Sequence, residues 1–203
     1  MEPDDRNVAD TSGARRRAAE AGHSGDEAAA RSLLDHADPS VRAASLGALA
    51  RMDRVTTDDV RAALEDPAPA VRRRAVKLAI TTGIDLAPLL RDADSSVAEQ
   101  AAWALGERED PAAVEALIAA TTHADALVRE AAVAALGAIQ DERGLEAILR
   151  GTDDKPAIRR RAVLALAAFD GPDVDAALER ALEDRDWQVR DAAELMIEAR
   201  NET

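Results

Sequence analysis

At 203 residues the chain can hold one ordinary domain or a modest repeat array, and with two Trp, one Phe and no Tyr its core must be built from Ala, Leu, Val and Ile. That composition suits helices packed at close range and disfavours a β-sandwich, whose strands draw on β-branched and aromatic residues. Basic groups number 26 against 40 acidic ones, a net charge of −14 that works against binding phosphate chains, and the absence of Cys removes disulfides, thiolate nucleophiles and Cys-ligated zinc.

Residues 1–12 are polar, with Pro3 and Gly13 nearby, and are expected to form a disordered acidic tail. The start of the chain carries no signal-peptide pattern, and no run approaches about 18 consecutive apolar residues. A cytoplasmic protein with no membrane partner is therefore expected. Residues 14–22, Ala-Arg-Arg-Arg-Ala-Ala-Glu-Ala-Gly, resemble a second helix without its large apolar side chains and predict a degenerate N-terminal cap helix.

From residue 26 onward one pattern recurs six times, over units of approximately 26–52, 56–83, 85–107, 111–139, 142–169 and 173–200. Each unit has an acidic turn, a key aliphatic residue and an Ala/Leu run. The key residues are Val41, Val71, Val97, Val128, Ile158 and Val189, spaced 30, 26, 31, 30 and 31 residues apart. That interval accommodates a helix, a turn, a second helix and a connection. Four residues on stand Ser45, Ala75, Ala101, Ala132, Ala162 and Ala193; eight on stand Leu49, Ala79, Leu105, Leu136, Leu166 and Ile197. Positions 0, +4 and +8 share one helical face, and the small residue at +4 lets a paired helix come close.

The first helix of each unit ends in an apolar pair, from Leu33/Leu34 to Ala181/Leu182. Asp38, Asp94, Asp125 and Asp186, three residues before the key aliphatic, are placed to cap the second helix, and Pro39, Pro69 and Pro156 fit its first position. Gly106 and Gly137 are expected where a second helix stops. At the far end, Glu194, Glu198 and Arg200 make the last helix polar, as a terminal repeat requires. A right-handed α-α superhelix over residues 13–203, all-α and of about six helical pairs, is the predicted fold.

Asp92-Ala-Asp-Ser-Ser-Val97 and the run from Val128 to Gly137 resemble the HEAT repeats of the phycobilisome (PBS) lyase-like family, and the likeness extends over residues 26–200. The resemblance implies an Arg–Asp pair pinning each turn at a spacing of six, which Asp66/Arg72, Asp153/Arg159 and Asp184/Arg190 match. His36 and His123 replace the Asp, and Ala98 replaces the Arg, so the series is incomplete. The family also includes bilin lyases, and an iron-dependent hydroxylase of this repeat type uses His-Glu pairs. No His-Glu dipeptide occurs in this chain.

No Gly-x-Ser-x-Gly, phosphate loop or other catalytic motif is present, so no catalytic, cofactor or metal residue is assigned. A HEAT-like DNA glycosylase would need a basic, aromatic-bearing groove. Arg72–Arg74 and Arg159–Arg161 are locally basic, but Glu99 and Glu130 interrupt such a track. The reading favoured is a non-catalytic scaffold, expected from its polar ends to be monomeric, that holds a protein partner along the groove of its second helices. Positions +2 and +6 face away from the 0/+4/+8 stripe, which nominates Arg73, Lys77, Glu99, Trp103, Glu130, Arg160 and Leu164. A bilin-type lyase or lyase subunit, and a nucleic-acid enzyme, are the alternatives. Only Lys77 and Lys155 are lysines; this acidic, Lys-poor composition is similar to that of salt-loving archaeal proteins.

Overall fold

The computed structural model describes residues 5–201, with side chains from residue 11 to residue 200. All regular structure among them is helical. The helices are α1 (Asp5–Ser24), α2 (Glu27–Arg31), α3 (Pro39–Arg51), α4 (Thr57–Leu64), α5 (Pro69–Ala79), α6 (Ser95–Glu107), α7 (Val114–Ala120), α8 (Ala126–Ile139), α9 (Leu145–Gly151), α10 (Pro156–Ala165), α11 (Pro172–Ala181) and α12 (Trp187–Asn201). A 3-10 turn, Ala87–Arg91, replaces the first helix before α6.

Two compact units divide the chain, one ending at Ile84 and the other beginning at Asp85. In the first, α2 pairs with α3 and α4 with α5, while α1, α3 and α5 pack in a row. In the second, the 3-10 turn pairs with α6, α7 with α8, α9 with α10 and α11 with α12, and α6, α8, α10 and α12 pack in sequence. Helix α1 begins at Asp5, inside the stretch expected to form a tail; residues 1–4 lie outside the described residues. Its Ala14 and Ala18 pack with Leu33 and Val41, and Ala21 packs with Ala30, Ala48 and Leu49. A helix docked by such contacts can extend beyond them through its own hydrogen-bond ladder.

All six key aliphatic residues and all six small residues at +4 are buried. Ser45, the polar exception among the small residues, donates its hydroxyl to the Ala30 carbonyl, which satisfies it inside the core. The caps form as the sequence predicts. The carboxylate of Asp38 accepts from the Ser40 N–H at 2.7 Å, that of Asp125 from Leu127 at 2.9 Å, and that of Asp186 from Gln188 at 2.9 Å.

Gly106 and Gly137 do not end their helices. Both lie inside α6 and α8, where a Cβ on Gly106 would come within 2.9 Å of the Ala135 Cα and one on Gly137 within 2.6 Å of the Ala165 Cβ. They are glycines because a neighbouring helix crosses directly over them. The stops fall three residues later, at Glu109 (φ 50°) and Gln140 (φ 59°), and α3 stops in the same way at Asp53 (φ 58°). Each adopts the left-handed turn that closes a helix.

The expected Arg–Asp pairing at a spacing of six is also corrected. Within a turn the arginine meets a backbone carbonyl: Arg42 Nη1 donates to the His36 oxygen at 2.8 Å, Arg129 to that of His123 at 2.9 Å and Arg190 to that of Asp184 at 2.7 Å. The carboxylate it grips belongs to the following repeat. Arg42 reaches Asp66 through two bonds of 2.7 Å, Arg129 reaches Asp154 through two of 2.8 Å, and Arg159 reaches Asp184 through two of 2.7 Å. The guanidinium spans the extra distance because its fork serves the carbonyl and the carboxylate at once. These bonds hold the carboxyl groups of Asp66, Asp154 and Asp184 below their ordinary value of 3.8.

Candidate binding surfaces

The faces of the second helices turned away from the core differ in character between the two units. In the first unit, α1, α3 and α5 border an open hollow of about 500 Å³. Arg15 of α1, Arg51 of α3 and Arg73, Arg74 and Lys77 of α5 line it, over a floor that includes Ala43, Ala44, Gly47 and Ala70. Two of the nominated residues, Arg73 and Lys77, thus meet in one site, and both are exposed. The Arg74 guanidinium lies against α3 at Gly47, where a Cβ would come within 2.4 Å of its Nη2. Its Nε is buried without a hydrogen-bond partner.

Positions +2 and +6 did not reveal Arg15, Arg51 or Arg74. At about 100° per residue, +2, +3, +6 and +10 fall within roughly 100° of one another, so Arg74 at +3 and Arg51 at +10 belong to the same face. Arg15 was concealed because the cap helix has no key aliphatic from which to count.

In the second unit the nominated residues lie on adjacent helices. Trp103 of α6 is 44% exposed, Arg160 of α10 is exposed, and Glu99 and Glu130 are half-buried. Glu130 is engaged by Arg161 of the next helix at 3.7 Å, a partner the sequence reading did not single out. Leu164 is half-buried and lines a separate hollow of about 300 Å³ with Ala134, Gly137 and Arg161. Trp103 is not among the residues of that hollow.

The three histidines occupy unrelated places. His23 is exposed in the last turn of α1, whereas His36 and His123 each accept a backbone N–H at Nδ1, from Asp38 and Asp125, both at 3.0 Å. That bond reproduces the one Asp66 makes to the Ala68 N–H at 2.8 Å, so the imidazoles act as turn residues. Among the described residues no three His, Asp or Glu side chains converge as metal ligands. Among the described residues no helix is long and apolar enough to cross a membrane.

Residues 85–157 match the family described as HEAT repeats, and residues 158–184 match the PBS lyase HEAT-like repeat. No curated protein sequence matches the chain. Among solved structures it is similar to Escherichia coli YibA, at 21% identity and a TM-score of 0.65 over 84% of this chain and 69% of that one. It is similar to human deoxyhypusine hydroxylase in complex with glycerol, at 20% identity and a TM-score of 0.52 over 87% and 74% of the two chains. A designed armadillo repeat protein in complex with the peptide (KR)4 shares 19% identity, with a TM-score of 0.50 over 90% and 84%. At such identities the likeness is one of fold. Two adjoining repeat matches thus give residues 85–184 a HEAT-type repeat sequence, within an all-helical fold whose helical pairs stack through small residues.

Proposed function

We propose that the protein is a non-catalytic scaffold that holds a protein partner on the outward faces of its second helices. The observation that carries this reading is Trp103, an indole 44% exposed on α6 in a chain with three aromatic residues in all. A large, rigid, half-exposed aromatic is the usual anchor of an interface, and Glu99 at +2 of the same helix supplies polar contact around it. A peptide segment, such as the (KR)4 held by the designed armadillo repeat protein, is the kind of partner this reading favours.

Capture from native extract at high salt, with the retained proteins identified by mass spectrometry, tests it. Trp103→Ala combined with Glu130→Arg is expected to lose proteins retained by the wild type, with the far-UV helical signal and melting temperature unchanged. An unaltered set of captured proteins would rule out this face. The PBS lyase HEAT-like match over residues 158–184 favours one second reading, a bilin-type lyase or lyase subunit. A bilin absorbance band that stays with the protein after free pigment is removed by gel filtration would support that reading over the scaffold.

A further inference from the structure

In the first unit, Arg16, Arg31, Arg42, Arg54 and Arg61 each pair with an Asp or Glu. The five cations around the α1/α3/α5 hollow do not. Among the described residues Arg15, Arg51, Arg73, Arg74 and Lys77 have no ion pair, although the chain carries 40 acidic groups. The Arg51 and Arg74 guanidiniums rest where Cβ atoms on Gly22 and Gly47 would come within 2.5 and 2.4 Å, so glycine makes room for both. The Arg74 Nε, buried and without an acceptor, leaves a donor unsatisfied at the wall of the hollow. Five like charges held together without counter-charges form a receptor for an anion.

The kind of anion follows from what the unit lacks. No Trp, Phe or Tyr occurs before Trp103, so the hollow offers no stacking platform for a base. Four of the five cations are Arg, whose planar fork matches a carboxylate through two parallel bonds. The Ala and Gly floor accepts a peptide backbone and the methylenes of acidic side chains. We infer that the hollow between α1, α3 and α5 binds an Asp/Glu-rich segment of a partner protein. This deepens the scaffold reading and rests on it.

Fluorescence anisotropy with a labelled Asp/Glu-rich peptide tests the inference, at an ionic strength where the helical signal is complete. The wild type is expected to bind this peptide and not an uncharged one of equal length. Arg73→Glu with Lys77→Glu, both exposed positions, should weaken binding at least about tenfold, while Arg61→Glu, an exposed position on α4 outside the hollow, leaves it unchanged. Equal binding by the charge-reversed variant would overturn the inference. So would tighter binding of labelled oligo-dT, displacement of the peptide by equimolar inorganic phosphate, or a dimer of this chain that the reversal dissociates. Absence of peptide binding alongside Trp103-dependent capture defeats this inference alone; capture left unaltered by Trp103→Ala with Glu130→Arg, alongside intact peptide binding, defeats the Trp103 site alone.

Discussion

Arg159 and Asp184 expose only 7% and 14% of their side chains, so the rung they form between successive repeats is largely withdrawn from solvent. Asp184→Ala would leave the guanidinium half-satisfied, and a loss of about 1–3 kcal/mol is expected by denaturant unfolding. The chain contains its own version of the repair. Ala98 is fully buried where a rung arginine would start, and the turn that would supply its carboxylate has His123 instead. Arginine and aspartate are absent together, and the imidazole keeps the turn's backbone bond without needing a cation. Arg129→Ala should therefore be costly alone and be substantially rescued by Asp154→His, a coupling that a double-mutant cycle would read. The rungs also set an acid limit. Their carboxylates titrate below 3.8 in the folded protein, so their contribution is complete above that value and is lost as pH falls through the lower folded value. Asp184→Asn should flatten the acid limb of the stability curve. These residues were visible in the sequence, but at a misleading interval. The spacing of six marks a carbonyl contact, and the ion pair spans 24 or 25 residues, an interval that means nothing until repeats are stacked.

Second helices gave the clearest signal at the scale of elements, because the 0/+4/+8 stripe is both a period and a packing requirement. Their lengths were less legible. Gly106 and Gly137 suggest a stop by residue type, yet they serve close crossing, and the turns close on Glu109 and Gln140, residues with no preference for that role. Since a side chain at either glycine would meet the next helix below 3.0 Å, Gly106→Val or Gly137→Val should destabilise by roughly 1–3 kcal/mol. Ala132→Leu, at a buried +4 position, should cost a similar amount, and thermal unfolding would measure all three. The cationic hollow was legible only in part. Arg73 and Lys77 fall at counted positions, while Arg15, Arg51 and Arg74 join them through the arrangement of three helices.

The molecule as a whole carries a net charge of −14, and self-repulsion must weigh against its folded state at low ionic strength. We propose that it is adapted to high salt, where a Debye length of about 3 Å at 1 M screens that repulsion. Helical content is then expected to fall as salt is reduced, whereas a salt-indifferent circular dichroism signal would remove this reading. The central claim is that partners are held by the outward faces of second helices. Hydrogen exchange of the protein with and without a captured partner tests it most directly. The account predicts added protection in α3, α5, α6, α8 or α10, with α4, α7, α9 and α11 unchanged; protection confined to those first helices would contradict it.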